Sequence, residues 1–373
     1  MGSQGEDINY EELRKNARKG AIKSSKKASS SNTTTYIAVG IFGLLVAAVI
    51  GVLVLNPEQP LHLVPALDTD FMETQNSLRL GYTQKPNSFF QGWSLADVTL
   101  IAQNGFSQSA KNIKACHSYR NEGELVPISY DLRDEFPHCI QEIQNQGNCS
   151  SSYAIAVASV ASEKFCMMTN GKFSPVLSAQ DIVSCSKKNS GCASGNIDSA
   201  WNYVKDTGIV EESCFSYSSV DMKAPECSSK CDMPGHKVSE VCATASEAGV
   251  MREIKKNGPV VGLMQIYSDF LGYSYGVYEP HLSATRVHGR VSVEIIGWGT
   301  SDDGVPYWII KNSWGTAWGE GGYAQVVRGN KDLGLDDFVL TAIPVISEDM
   351  VTTEPGVILD EFEDLDTKTE NKE

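Results

Sequence analysis

The middle of the chain has the hydrophobic spacing of amphipathic helices. Within residues 152–168, Ala154, Val157, Ala158 and Ala161 fall at positions i, i+3, i+4 and i+7, so they share one helical face. Their small side chains favour a close approach to buried neighbours. Similar spacing predicts three further helices, in LSAQDIVSCS at 177–186, SGNIDSAWNYVKDTG at 194–208 and ASEAGVMREIKKNG at 245–258.

After Pro259 the pattern becomes that of β-strands. Apolar runs rich in Val, Ile and aromatic residues alternate with Gly and Asp turns, which is typical of strands. The runs are VVGLMQIY, RVSVEIIGWG, PYWIIKNSW and GYAQVVRG. Helices followed by strands predict an α+β fold with two subdomains. The cleft between such subdomains is the usual place for a site.

An uncharged apolar run lies near the N-terminus. Residues 36–55 are twenty residues without a charge, enough for a helix to cross the roughly 30 Å hydrocarbon layer of a membrane. A cleaved signal peptide is the alternative, but its apolar region would be shorter and followed by small residues at a cleavage site. The small residues Gly43, Ala47 and Gly51 form a stripe on which two such helices could dimerise, although small residues are common in membrane helices.

The flanks of this run indicate its orientation. Basic residues precede it between Arg14 and Lys27, so the polar and predicted disordered residues 1–35 should face the cytosol. The rest of the chain would then lie in the endomembrane or lysosomal lumen, or outside the cell. This is the topology of a single-pass type II membrane protein.

Charge and cysteine content narrow the function classes. A net charge of −15 argues against a nucleic-acid partner, because phosphate binding requires a basic surface. Nine of the ten cysteines lie between Cys139 and Cys242, a density that indicates disulfides and an oxidising compartment. No C-x-x-C pair of the kind that holds zinc occurs, and no metal or nucleotide motif is evident, so we expect no cofactor.

Several stretches resemble the papain-like cysteine peptidases, and most closely the cathepsin B branch. They include IQNQGNCSSSYA, LSAQDIVSC, GCASG and PYWIIKNSWGTAWGEGGY, in the family's order. The resemblance implies a papain-like α+β fold, with a helical left subdomain and a β-barrel-like right subdomain, behind the membrane helix. It implies a papain-like domain at 126–345, a pro-segment-like or linker region at 56–125 and an acidic disordered tail at 346–373.

The family's machinery maps onto this chain with a change at the nucleophile. Its peptidases use a Cys thiolate paired with a His, an Asn that orients the His and a Gln in the oxyanion hole. By resemblance, Gln146 takes the oxyanion-hole position and Asn312 the orienting position, with Trp314 as its shielding indole. The nucleophile position holds Ser152 instead of a cysteine.

The histidine position is changed as well. In the cathepsin B branch this His lies six residues before the first Gly of GWG, where the present chain has Val291. His288 lies three residues earlier, and an odd offset on a strand turns its side chain to the opposite face. A serine without a base stays protonated at neutral pH, so the resemblance predicts a pseudopeptidase.

The resemblance also assigns the cleft and the disulfides. Ser194 and Gly195 occupy positions at which the family pairs with substrate backbone, and Phe338 lies either at the floor of the main specificity pocket or in the core. The implied disulfides are Cys139–Cys166, Cys149–Cys192, Cys185–Cys227 and Cys214–Cys231. Cys116 and Cys242 remain, and we hypothesise that they pair with each other.

We therefore predict a membrane-anchored, catalytically inactive protein that binds a peptide or protein, such as an active protease or its inhibitor, or acts as a scaffold. One alternative is an active papain-family peptidase, or a serine-type hydrolase in which His288 or water assists Ser152. Another is a structural membrane protein whose cleft is closed by residues 56–125.

Overall fold

The computed structural model describes residues 60–116, 125–228, 231–232 and 235–352. The predicted membrane helix at 36–55, its small-residue stripe and the polar segment at 1–35 lie outside these residues. Within the described part of the chain, no helix combines the length and the apolarity that crossing a membrane requires.

The described residues contain short and long helices in both halves of the chain. The α-helices, in chain order, are α1 Thr69–Ser77, α2 Leu95–Ile101, α3 Leu132–Glu135, α4 Ser152–Met168, α5 Ala179–Cys185, α6 Ile197–Asp206, α7 Glu247–Asn257, α8 Ser268–Leu271 and α9 Glu348–Thr352. Three 3₁₀ turns lie at Leu61–Leu63, Ala110–Asn112 and Ser219–Asp221.

Most strands belong to one large sheet, whose strands come mainly from the second half of the chain. The strands are β1 Tyr82–Gln84, β2 Asn104–Gly105, β3 Tyr130–Asp131, β4 Gly195–Asn196, β5 Val238–Thr244, β6 Val260–Tyr267, β7 Tyr273–Tyr278, β8 Arg286–Thr300, β9 Pro306–Lys311, β10 Tyr323–Val327 and β11 Val339–Pro344. The nine-stranded sheet has the order β1-β7-β10-β9-β8-β6-β11-β5, with β3 attached to β8. Strands β2 and β4 form a separate parallel pair.

Helix α4 lies at the centre of the left subdomain and is buried on every side. All its residues from Ser152 to Met167 are buried, so the single apolar face expected from the sequence understates its burial. A fully buried helix must pair its polar side chains internally. Glu163 and Lys164 do so, through Lys311 at 2.6 Å and Glu253 at 3.6 Å.

The predicted elements of the papain-like region all occur. Helix α4 and strand β6 have the bounds of the predicted stretches, and Ser178 caps α5 through its side chain, which accepts a hydrogen bond from Asp181 N. Strands β5, β7 and β11, of six or seven residues, were not predicted from the sequence; they lie toward the two ends of the sheet order and pair with strands distant in the chain. Two helix-capping residues lie before the papain-like domain. Asp68 caps α1, and Ser94 forms a capping box with Asp97 at the start of α2.

The start of the acidic tail differs from the prediction. Residues from 346 onward were predicted to be disordered, yet Glu348–Thr352 form a helix. Ile346 and Met350 pack against the core of the left subdomain, and Lys172 Nζ donates to the carbonyl of Val351 at 3.0 Å. Burial of two apolar side chains explains the order of these first tail residues.

Five disulfides hold the fold, and the expected pairing is confirmed. They join the five cysteine pairs named above, and none of the ten cysteines is free. The hypothesised Cys116–Cys242 bond has a Cα–Cα distance of 4.8 Å and links the region before the papain-like body to β5. Because it closes a loop over a sequence separation of 126 residues, it restricts the unfolded chain strongly.

We expect Lys311→Met to lower the free energy of unfolding by about 3–5 kcal/mol, because the buried carboxyl of Glu163 would lose its ion-pair partner. Urea-induced unfolding followed by tryptophan fluorescence measures this change. The matched control is Lys331→Met, which removes an exposed lysine paired with Asp337 and should leave stability unchanged. Equal midpoints for the two variants would contradict the assigned role of the buried pair.

Candidate functional site

The N-terminus of α4 presents Ser152 at the boundary between the two subdomains. Ser151 is the N-cap residue, but its side chain makes no capping bond to the helix and instead bonds the hydroxyl of Tyr217. Ser152 is the first helical residue and is fully buried. Its Oγ accepts a hydrogen bond from the backbone N–H of Ser292 at 3.1 Å.

Val291, at the predicted histidine position, directly precedes the residue whose N–H bonds Ser152, whereas His281 and His288 make no such contact. Val291 precedes the amide that bonds Ser152, and its side chain is fully buried opposite Met264 of β6. His288 has an exposed side chain, and His281 Nδ1 bonds Ser283 Oγ at 2.7 Å. Among the described residues, no histidine ring nitrogen hydrogen-bonds Ser152.

Gln146 is buried, and all of its polar atoms are engaged. Its Nε2 donates to the carbonyl oxygens of Cys149 at 2.8 Å and Ile101 at 3.1 Å. Its Oε1 accepts from Ser313 Oγ at 2.7 Å. The donor that would bind an oxyanion in the family's peptidases therefore contacts the backbone of this chain.

Asn312 and Trp314 are both buried, and Trp314 lies among aromatic rings. Asn312 Oδ1 accepts from the N–H of Ser313 at 2.9 Å, whereas its buried Nδ2 has no hydrogen-bond partner among the described residues. The indole of Trp314 packs edge-on against Phe90, with ring centroids 4.8 Å apart. Among the residues that the structure describes, no histidine ring hydrogen-bonds the side chain of Asn312.

Residues 101–106 run through the cleft, an arrangement that the sequence analysis offered only as an alternative. The N–H of Arg290 on the right side donates to the carbonyl of Ala102 at 2.6 Å. The N–H of Gly195 on the left side donates to the carbonyl of Gln103 at 3.1 Å. Gly195 therefore pairs with an extended backbone, as the family resemblance implies, but that backbone belongs to this chain.

The side chain of Asn104 enters the space beside Ser152. Its Oδ1 accepts from the N–H of Tyr153 at 2.8 Å and from Ser292 Oγ at 3.3 Å. Its Nδ2 donates to Ser150 Oγ at 3.3 Å. No pattern in the sequence singled out Asn104, because its role depends on a contact between residues far apart in the chain.

The remaining cleft positions line the path of this segment. Gly195 lies against the ring of Tyr153, where an added Cβ would come within 2.2 Å of a ring atom, so only glycine fits. Ser194 is half-buried, and its carbonyl accepts from the N–H of Ser190 at 3.0 Å. Phe338 is half-buried at the edge of the left core and meets Phe106 edge-on, with ring centroids 5.0 Å apart.

Three buried charged side chains form a cluster near Ser292: Glu163, Glu294 and Lys311. Lys311 Nζ is 2.6 Å from Glu163 Oε1 and 3.7 Å from Glu294 Oε2. Burial raises the pKa of Glu294 well above its ordinary value, the nearby charge of Glu163 adds to this, and Lys311 opposes it. Glu294 therefore keeps its proton at pH values where an exposed carboxyl would lose it.

The sequence matches known proteins over most of the described region. A family model described as "Papain family cysteine protease" matches residues 126–343. The human protein named "Tubulointerstitial nephritis antigen-like" is 31% identical over 313 residues, which cover 74% of this chain and 67% of the human one. "Cathepsin B-like CP3" of Giardia intestinalis is 35% identical over 222 residues, which cover 58% of this chain and 74% of that relative.

Solved structures show the same architecture. The structure of "proCathepsin B S9 from Trypanosoma congolense" aligns with a TM-score of 0.68 at 28% identity, over 76% of this chain and 100% of the other. That of "digestive procathepsin L 3 of Tenebrio molitor larval midgut" aligns with a TM-score of 0.62 at 22% identity, over 91% and 100% of the two chains. The predicted two-subdomain α+β fold is confirmed.

We expect Glu294→Gln to reduce the pH dependence of stability. A carboxyl whose pKa is raised in the folded protein contributes stability that is complete below its unfolded value near 4.5, and this contribution is lost as the pH rises toward the folded pKa. As the pH rises above 4.5, the wild-type protein should therefore lose more stability than the variant, whose amide cannot ionise.

Urea midpoints measured across this range test the expectation, with Glu279→Gln as the control because Glu279 is an exposed carboxylate. The control should follow the wild-type curve. A Glu294→Gln curve that also follows it would show that Glu294 does not titrate in this window.

Proposed function

The chain belongs to the papain family of cysteine proteases, and from that premise we propose that it is a non-catalytic member which acts as a membrane-anchored binding or scaffold protein. The observation that carries the proposal is the hydrogen bond from the N–H of Ser292 to Ser152 Oγ at 3.1 Å. In this arrangement a backbone amide, rather than a base, faces the hydroxyl at the nucleophile position.

The chemistry of a hydroxyl explains why such a site does not catalyse. A serine is activated by an adjacent base that removes its proton, and Val291 at the histidine position has an apolar side chain. In a serine peptidase, losing either nucleophile or base reduces turnover by about 10⁶-fold, which is about 8 kcal/mol of activation free energy. The partial positive charge at the N-terminus of α4 is too small to replace a base.

The oxyanion-hole position supports the same conclusion. Gln146 Nε2 donates to the carbonyl of Ile101, so a substrate carbonyl would first have to displace this contact. The pairing of Gly195 with Gln103 likewise removes a backbone donor that would hold substrate. Catalytic groups and substrate-binding groups are thus both committed to other partners.

The intact, disulfide-bonded papain-like fold favours a role in binding. All ten cysteines are paired in disulfides, which agrees with a location in an oxidising compartment, as does the type II topology predicted from residues 36–55 and their basic flank. The partner would be a peptide or a protein, such as an active protease or its inhibitor. A dimer through Gly43, Ala47 and Gly51 is a further arrangement that this topology permits.

A second candidate function is favoured by the segment in the cleft. If residues 101–106 stay bound, the papain-like body is a structural unit and partners meet its outer surface. Binding of a peptide library to the full chain separates the two candidates. Retained peptides that compete with the segment favour a receptor cleft, and an absence of retention favours the structural role.

We expect a fluorophosphonate probe to leave Ser152 unlabelled, because no base increases the nucleophilicity of its hydroxyl. Labelling is measured on the full chain by mass spectrometry, with Ser152→Ala as the control that reports reaction at other residues. The assay is repeated with Asn104→Ala and Phe106→Ala, which weaken the segment, so that occlusion alone cannot explain an unlabelled serine. Labelling that disappears in Ser152→Ala would refute the proposal.

We expect the full chain to stay with membranes after alkaline carbonate extraction, because an apolar helix of this length inserts stably. Protease added from the cytosolic side should remove an N-terminal tag and spare a C-terminal tag. The charged variant Leu44→Arg, Leu45→Arg should be released into the soluble fraction, whereas Leu44→Ile, Leu45→Ile should not. Carbonate extraction of the unmodified chain would contradict the anchor.

A further inference from the structure

A surface groove on the right subdomain is separate from the cleft that contains Ser152. Its volume is about 720 Å³, and its lining comes mainly from residues 80–82, from β7 with the loop after it, and from the turn between β8 and β9. Among the described residues, none that lines this groove also lines the cavities beside Ser292 or Phe338. We name it the acidic groove and propose that it binds a cationic segment of a partner protein, in which Lys or Arg lies next to apolar residues.

The turn between β8 and β9 forms one wall of the acidic groove. The N–H of Ser301 donates to the carbonyl of Val305 at 2.9 Å, and the N–H of Gly304 donates to the carbonyl of Ser301 at 2.8 Å. Gly304 has a φ of +82°, a backbone conformation that favours glycine. This closed turn carries Asp302 and Asp303, so the backbone that presents the two carboxylates is fixed by its own hydrogen bonds.

The loop after β7 forms a second wall. The N–H of His281 donates to Oδ2 of the buried Asp269 at 2.8 Å, and the N–H of Ala284 donates to the carbonyl of His281 at 2.9 Å. These bonds anchor the loop that carries Leu282. Both walls are therefore formed before a partner binds, and a preformed site loses less conformational entropy on binding than a flexible one.

The carboxylates of the acidic groove carry no compensating charge. Glu279, Asp302 and Asp303 line it, all three are exposed, and no Lys or Arg is among the described residues that line it. None of the three forms an ion pair within the described part of the chain, and Glu279 accepts a hydrogen bond from the neutral amide of Asn330 at 3.3 Å. A cationic partner would therefore gain attraction without breaking an ion pair.

Exposed apolar side chains lie in the same groove as these carboxylates. Tyr275 is 65% exposed and Leu282 is fully exposed, whereas Val277 between them in sequence is buried. Exposed apolar groups with a polar rim mark contact surfaces, and tyrosine is a frequent anchor in them. The volume of the groove lies in the range of ligand sites, about 300–1,000 Å³, so several residues of a peptide can enter it.

Charge also selects the occupant. A second copy of this chain has a net charge of −15, and the tail at 346–373 has ten acidic and two basic residues, so the groove repels both. The basic residues between Arg14 and Lys27 face the cytosol in the predicted topology. The inference rests on the proposed binding role and deepens it, because it gives the chemistry of the partner and assigns the contact to the outer surface rather than to the cleft.

Fluorescence anisotropy of a short labelled peptide, in which Lys or Arg alternates with Leu or Phe, tests the groove in the full chain. We expect the double variant Asp302→Asn, Asp303→Asn to weaken binding about fivefold, because two carboxylates that attract the peptide are lost. Leu282→Ser should also weaken binding about fivefold, at unchanged charge, and its full exposure means that folding does not depend on it. A peptide with Glu in place of Lys and Arg should not bind.

The matched control is the double variant Asp221→Asn, Glu226→Gln, which removes two exposed carboxylates outside the groove. It should change the affinity by less than about twofold. Equal weakening by the two double variants would reveal general attraction to an acidic protein and overturn the proposal, as would unchanged affinity in Leu282→Ser. Self-association of the full chain that Leu282→Ser abolishes, measured by sedimentation velocity, would assign the groove to a second copy instead.

These outcomes are independent of the test of catalysis. The groove variants leave Ser152 and Val291 unchanged, and the fluorophosphonate probe reports on Ser152 alone. Failure of the groove would therefore leave the proposed lack of catalysis standing, and labelling of Ser152 would refute that proposal whether or not the peptide binds.

Discussion

Polar groups buried at the boundary between the two subdomains must find partners, because each one left unpaired costs about 1–3 kcal/mol. The boundary contains the first-turn amide of Tyr153, the backbone of Gly195 and the hydroxyls of Ser150 and Ser292, all buried. In an open cleft, water or substrate satisfies such groups. In this protein residues 101–106 satisfy them, so the path of α2 toward the cleft and the parallel pairing of β2 with β4 follow from the same requirement.

The same requirement explains the charges behind the site. Lys311 on β9 lies between Glu163 of α4 and Glu294 of β8, so one cation connects the central helix to the sheet. A single ammonium group next to two buried carboxyls favours a state in which one carboxyl keeps its proton, and burial raises the pKa of Glu294 in that direction. This cluster and the segment in the cleft connect the two subdomains at separate points, and together they favour one fixed separation of the cleft walls.

The features that could be predicted from the sequence are those that local residue patterns encode, such as the bounds of a helix or strand. The bounds of α4 follow from its spacing of small residues, and those of β6 from the mostly apolar run VVGLMQIY between Pro259 and the helix that begins at Ser268. The position of Val291 could be counted from a motif, and the structure places the N–H of the next residue, Ser292, on the hydroxyl of Ser152. The position of Asn104 could not be predicted, since the capping box of α2 shows where that helix begins but not which surface its C-terminal end meets.

Under the proposal that this chain is non-catalytic, closure of the cleft and an uncharged site have a common physical basis. A thiolate and an imidazolium in a site without water would be a buried ion pair, and desolvation costs several kcal/mol per ion unless the geometry repays it. An open cleft avoids much of this cost because solvent reaches the pair before substrate binds. Ser152 and Val291 carry no charge, and both are fully buried. A neutral hydroxyl that needs one donor, and receives it from Ser292, is compatible with a cleft that stays filled by its own chain. We therefore expect a charged pair at these two positions to make closure of the cleft less favourable.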